Sequence, residues 1–300
     1  MKGILTMENA IKNRYEFVML FDVENGNPNG DPDAGNMPRT DPETNFGIVT
    51  DVCIKRKIRN FVEIYKANEA GYNILIKADR SLNSKFAEAH EEISGATNEQ
   101  DKDKKTKSKK IDEKEAKKYM CRNYFDVRAF GAVMSTGDNP CGIVRGPVQI
   151  NFAKSMDEVC LQEISITRQA VTKDEDFKNK QNTIGKKSFI SYGLYRAEGY
   201  VSAMLSQNVT GFSEDDLELL WTSIINMFEH DRSAARGKMC LRKLYIFKHD
   251  SALGNAPAHI LFDKITVNKK ADVNVPRNFA DYIISVDTDM PDGVELIEKL

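Results

Sequence analysis

The chain has 300 residues and a mass of 33.9 kDa, enough to bury a large core without disulfide or metal staples. With 41% hydrophobic residues, 29% charged residues and 9% aromatics, its composition excludes global disorder. Its longest uninterrupted apolar run, Phe17 to Phe21, excludes a membrane-spanning helix, and a net charge of −2 excludes a uniformly basic nucleic-acid binder.

Arg14 to Val23 (RYEFVMLFDV) is apolar, aromatic and β-branched, and predicts a buried strand. It runs into a segment crowded with Gly, Pro, Asn and Asp that must be loop. Thr50 and Asp51 then open a helix. Its buried stripe is Ile54, Ile58, Phe61, Val62 and Tyr65, which places Lys55, Arg56 and Arg59 on the flanks or the opposite face. Tyr72 to Ala78 reads as a second strand.

Glu91 to Lys118 is charged and without aromatics, and its centre is expected to be a mobile surface insertion rather than a basic arm. Gly142 to Phe152 predicts a strand bent or broken at Gly146 and Pro147, and Glu163 to Ala170 predicts another. A polar excursion precedes SFISYGLYRAEGYVSAMLS, which returns to β pattern. Ser213 to Glu229 is the clearest helix, with a capping-box-like start and a stripe from Leu217 to Phe228. Leu241 to Phe247, His259 to Val267 and Tyr282 to Val286 read as strands. One α+β domain over residues 1–300 follows, compatible with a ferredoxin-like split βαβ core.

Charge is segregated along this chain. Six acids and one base lie between Asp22 and Phe46, and six bases and no acid between Arg232 and Lys248; the segment 271–300 is acidic again. Such segregation is expected to create basic stripes for an anion and acidic faces for another copy. The five cysteines are odd in number, widely spaced and without a C-x-x-C pair, the pattern of a reduced intracellular protein. No signal peptide is visible, so the expected location is the cytoplasm.

Catalytic signatures are missing: no phosphate-binding loop, no G-x-S-x-G and no H-E-x-x-H. Asp31, Asp33 and Asn36 alternate like the start of a calcium loop, but the glycine comes one place early and Pro42 stands where a bidentate Glu is required. A rigid Asx turn cluster is the favoured reading there, with no metal and no cofactor. Arg128 to Ser135 (RAFGAVMS) matches the RNA-recognition consensus in part, with Ala132 and Ser135 where base-stacking aromatics would stand. Backbone contact by a basic helix face, Gly-rich turns, Arg145 and Arg168 remains available.

Four segments then give a family resemblance. FDVENGNPNGDPDAGNMPRTDPETNFGIVTDVCIKRKIRNFV, FDVRAFGAVMSTGDNPCGIVRGPVQINFAKSMDEV, SITRQAV and YGLYRAEGYVSAML resemble the repeated backbone subunit of type I CRISPR effector complexes (Cascade), and subtype I-C most closely. The resemblance implies a modified ferredoxin-like, RNA-recognition-motif-like palm with inserted fingers and thumb. It also implies a non-catalytic protein that stacks as a helical filament on CRISPR RNA, beside other Cascade subunits, and presents the guide for pairing with target DNA. Residues 172–188 are the thumb candidate. The candidate RNA-binding residues are Lys55, Arg56, Arg59, Arg39, Arg145, Arg168, Lys186 and Lys187. The competing reading is a metal-dependent ribonuclease using the Asp31/Asp33 loop, and only that one needs a divalent ion.

Overall fold

The computed structural model describes residues 9–100, 112–168 and 183–300, with backbone alone at 96–100, 168, 183 and 184. Strand β1 (Tyr15–Gly26) leads to the two-residue strands β2 (Gly30–Asp31) and β3 (Met37–Pro38), then β4 (Phe46–Val49) and helix α1 (Asp51–Tyr65). A helical lobe follows, with α2 (Leu82–Gln100), α3 (Glu113–Asn123), α4 (Phe125–Phe130) and the hairpin β5 (Gly131–Met134) and β6 (Gly142–Arg145). Next come β7 (Val148–Ile150), β8 (Ala153–Glu158), β9 (Leu161–Arg168), the long β10 (Thr183–Val201), a helical turn over 203–210, α5 (Glu214–His230) and β11 (Lys238–His249). Helix α6 (Ala258–Asp263), β12 (Ile265–Lys269), β13 (Tyr282–Val286) and β14 (Val294–Glu298) close the chain.

The fold is mixed α+β around a large antiparallel sheet ordered β14–β11–β1–β10–β8–β4, with β7 and β9 also paired to β10. Strand β1 sits at its centre, which explains why its apolar run does not alternate: both faces are covered. Phe17, Met19 and Phe21 meet α1 and α5 in one core, through Ile54, Ile58, Leu220, Trp221 and Phe228. Val18 and Leu20 face the other way, into a second core with α6, β12 and β13 through Leu261, Phe262 and Ile265. A third core, with Phe86, Ala116, Met120 and Val127, belongs to the helical lobe. No helix among the described residues is long and apolar enough to cross a membrane.

Local signals set the two helices packed on the central sheet, α1 and α5. In α1, the Thr50 hydroxyl caps the Cys53 N–H at 3.3 Å. In α5, Ser213 and Asp216 form a reciprocal capping box behind three acids in the first turn. The turn at Gly146 and Pro147 separates β6 from β7, as the sequence predicts.

Three expectations are corrected. Residues 72–78 form no strand among the described residues; only an isolated bridge joins Asn73 to Tyr124. The N–H groups of Leu75 and Ile76 donate instead to the buried Asp126 carboxylate, at 2.8 and 3.1 Å, and their carbonyls accept from Lys85 and Arg56. Side chains thus do the work of a neighbouring strand. Residues 259–267 divide into α6 and β12 after Pro257, whose fixed φ suits the N-cap. Tyr65 is 60% exposed rather than part of the buried stripe. Of the expected insertion over 91–118, residues 101–111 lie outside the described residues, and those flanking them belong to α2 and α3.

Candidate nucleic-acid interface

Helix α1 carries the largest group of sequence-predicted site residues. Lys55 Nζ pairs with Asp51 at 2.9 Å, one turn earlier, and lies 5.7 Å from the Phe130 ring centroid. Arg56 donates to the Ile76 carbonyl at 2.6 Å. Arg59 is 8% exposed: its Nε donates to Asp126 at 2.8 Å, and its guanidinium lies 5.2 Å from the same Phe130 ring. These three charges are therefore engaged within the chain rather than free. Lys55 and Arg59 share a flank of the apolar stripe, and the helical lobe covers that flank through α4. Lys57 is also buried and bonded to Asp231.

The loop after β1 is built from Asx turns. The Asp31 carboxylate accepts the Asp33 N–H at 3.1 Å and meets Arg39 at 3.2 Å, while Gly35 and Asn36 take positive φ of 61° and 62°. Asn29 Oδ1 accepts both the Thr50 N–H and its hydroxyl at 2.9 Å, which ties this loop to the start of α1. The Arg39 Nε is buried without a hydrogen-bond partner among the described residues. No group of three or more His, Cys, Asp and Glu among the described residues is arranged to hold a metal ion.

Strands β9 and β10 pair from Leu161–Ile190 to Arg168–Thr183 as a two-stranded ribbon whose described β9 side chains are all exposed. Over eight residues such a ribbon extends about 26 Å at ~3.3 Å per residue. Its faces differ. Ile164 and Ile166 share one with Lys187; Glu163, Ser165 and Lys186 share the other, where Lys186 meets Glu163 at 2.8 Å. Arg168 ends β9 opposite Thr183. Residues 172–182 of the expected thumb lie outside the described residues, and residues 183–188 belong to β10.

The segregated charges of the sequence meet one another. Arg242 pairs with Asp22 at 2.8 Å, Lys238 with Glu24 at 3.1 Å, Lys243 with Glu298 at 2.6 Å and Lys248 with Glu295 at 3.8 Å. Strand β11 lies between β1 and β14, so its bases face the acids of both neighbours. The expected basic stripe over 232–248 and the matching acidic faces are thus largely cancelled within one chain.

Arg145 differs. It is exposed at the end of β6 and meets no carboxylate among the described residues. It borders an open groove of about 480 Å³ with Pro147, Gln149, Tyr200, Ser202 and Leu205. Sequence reasoning missed Gln149 and Tyr200, which are cross-strand partners of β7 and β10; no motif marks either. It also missed Lys154, exposed with its ammonium 4.9 Å from the Phe46 ring. The structure thus brings Lys55 and Arg59 to one ring, whose next residue, Gly131, is the register partner of Arg145. The charges of the β9–β10 ribbon stand on a separate projection.

A mixed α+β chain with a central antiparallel sheet, a helical lobe and a projecting ribbon is the class these features define. A family model described as CRISPR-associated protein Cas7 matches residues 13–287, and the chain belongs to that family. It is 26% identical over 235 residues to the CRISPR-associated protein Cas7 of Haloferax volcanii; the match covers 71% of this chain and about 65% of that relative's length. Two solved structures titled as CRISPR RNA-guided surveillance complexes, one pre-nicking, resemble it at TM-scores of 0.49 and 0.43. Their identities are 16% and 14%, covering 78% and 77% of this chain and 75% and 68% of theirs. A chain of a type III-B Cmr-β complex bound to cognate target RNA gives 0.41, at 12% identity over 78% of this chain and 61% of that one.

Proposed function

We propose that this chain is a non-catalytic backbone subunit of a type I-C CRISPR effector complex. In this reading, copies stack along CRISPR RNA in the cytoplasm beside other Cascade subunits and present the guide for pairing with target DNA. Membership of the Cas7 family over residues 13–287 carries the reading. The order β11–β1–β10–β8, with α1 and α5 packed on one face, supports a ferredoxin-like palm. The β9–β10 ribbon is the proposed base of the thumb, with Lys186, Lys187 and Arg168 along it. Arg39, Lys55, Arg56 and Arg145 are the proposed backbone contacts of the palm; Arg59 acts beneath them, holding the lobe through Asp126. In the described geometry Asp31 is committed to Asp33 and Arg39, which favours a turn over a metal ligand.

The test is purification of the full chain from a host that transcribes a CRISPR array, followed by sizing of the bound nucleic acid. Single-stranded RNA of discrete length, left intact with Mg²⁺ or Mn²⁺ and with EDTA alike, is the expected result. Divalent-dependent cleavage of complementary RNA, abolished by Asp31→Ala or Asp33→Ala, would replace this reading with a ribonuclease.

A further inference from the structure

The groove beside Arg145 lies where β7 pairs with the end of β10. Gln149 and Tyr200 are a cross-strand pair there, and just beyond them the Ser202 N–H donates to the Pro147 carbonyl at 3.0 Å. Leu205, in the helical turn, and Arg145 complete the lining. At about 480 Å³ the groove falls within the roughly 300–1,000 Å³ of small-ligand clefts.

Its chemistry is that of a donor-rich site with an aromatic surface. The Tyr200 hydroxyl oxygen accepts from Asn151 at 3.2 Å, and the Ser202 hydroxyl oxygen accepts from the Leu205 N–H at 3.3 Å. Both hydroxyl hydrogens remain available to a ligand. No carboxylate lines the groove. Most arginines with described side chains are committed to a carboxylate or a carbonyl; only Arg122, Arg145 and Arg277 are not. Arg145 is also firmly based. It pairs with Gly131, at φ 80°, and precedes Gly146, where a Cβ would lie 2.3 Å from the Phe130 carbonyl carbon. Neither glycine tolerates a side chain, so the backbone that presents the guanidinium is closely packed.

We propose that this groove holds one nucleotide of single-stranded RNA, with its phosphate on Arg145 and its base against Tyr200. The inference rests on the RNA-binding reading above and adds a base-stacking site to it. A guanidinium free of acids matches phosphate geometry. The half-buried Tyr200 ring, held edge-to-face on Phe262 at 5.5 Å, is the aromatic surface of the lining, and a ring of this kind takes a base face whatever its identity. The two spare hydroxyl hydrogens suit a ligand rich in acceptors, as ribose and base carbonyls are. RNA is favoured over a peptide because the charged group that lines the groove is a guanidinium with no carboxylate beside it, next to an aromatic ring.

The test uses the full chain, fluorescein-labelled oligouridine and anisotropy across a salt series. Wild type binds. Arg145→Ala weakens binding and reduces the log–log salt slope by roughly 0.7, the value for one phosphate of a single strand. Leu205→Glu, which puts an anion in the groove, weakens binding about tenfold or more, within the range of one lost stacking contact. Arg122→Ala, an equally uncommitted arginine on α3, leaves affinity and slope unchanged. Oligouridine carrying 4-thiouridine crosslinks to peptides containing Tyr200 or Leu205. If wild type binds but Arg145→Ala and Leu205→Glu match it and crosslinks map elsewhere, the groove is not the site, while the RNA-binding reading stands. If those variants instead alter self-association with RNA affinity intact, the groove is a protein contact and the inference is overturned. If wild type binds no RNA, both the reading and the inference fall.

Discussion

Replacing Arg59 by Ala separates a buried structural cation from a free surface charge. An exposed helical arginine costs less than about 0.5 kcal/mol when truncated. Arg59 instead donates to a carboxylate that is only 1% exposed, at 2.8 Å, and lies 5.2 Å from the Phe130 centroid. Removing one member of a buried ion pair costs about 3–5 kcal/mol. Asp126 keeps the N–H groups of Leu75 and Ile76, so Arg59→Ala belongs at the low end, about 3 kcal/mol. Asp126→Ala strands Arg59 and both N–H groups, and is expected to cost more, about 4–5 kcal/mol. Lys55→Ala loses an i,i+4 pair and a contact with the Phe130 ring but strands no buried carboxylate, and is expected to cost less, about 0.5–1 kcal/mol. Urea unfolding followed by Trp221 fluorescence and circular dichroism measures all three, and Arg59→Ala/Asp126→Ala completes the cycle. An Arg59→Ala midpoint indistinguishable from that of Lys55→Ala would refute the buried-pair reasoning.

Further outcomes follow from other sites. Burial pushes the Cys121 and Cys141 thiols up to about 11, whereas Cys160 is exposed. A maleimide at pH 7.5 should therefore label Cys160 quickly and those two only after denaturation; uniform native labelling would contradict this. The Lys85 ammonium, with help from the Arg80 N–H, lowers the Asp79 carboxyl to about 2. Its stabilising share is present above pH 3.8 and is lost as pH falls through 2, so Asp79→Asn should flatten the acid limb of a stability–pH profile; an unchanged limb would oppose the pairing. The Phe17 ring lies over Gly199, where a Cβ would approach it to 2.1 Å. Gly199→Ala should cost about 1–3 kcal/mol in thermal or urea unfolding, and a neutral result would place Phe17 differently.

What the sequence makes legible is what local rules decide. The run FVMLF reads as a buried strand because both faces of β1 are covered, and α5 is readable because its cap and stripe lie in consecutive residues. The segment 72–78 is misread because apolar, β-branched residues look the same whether their N–H groups meet a strand or the Asp126 carboxylate. Helix α6 is misread because a six-residue apolar stretch has too little period to separate helix from strand. Of the site, residue types are legible and partners are not. Lys55, Arg56 and Arg59 are legible as bases of α1, yet Asp126, which engages Arg59, lies 67 positions away, and Arg242 reaches Asp22 from the point where β11 shifts register against β1. The Arg145 groove depends on β7 meeting the end of β10, a pairing that no spacing in the sequence encodes.

The central claim is that many copies of this chain assemble along one guide, and native mass spectrometry of the full chain on single-stranded RNAs of increasing length tests it most directly. The account predicts that the number of copies bound rises in whole steps with RNA length, with the RNA mass unchanged in Mg²⁺. A single copy at every length, or shortened RNA in the presence of the metal, would contradict it.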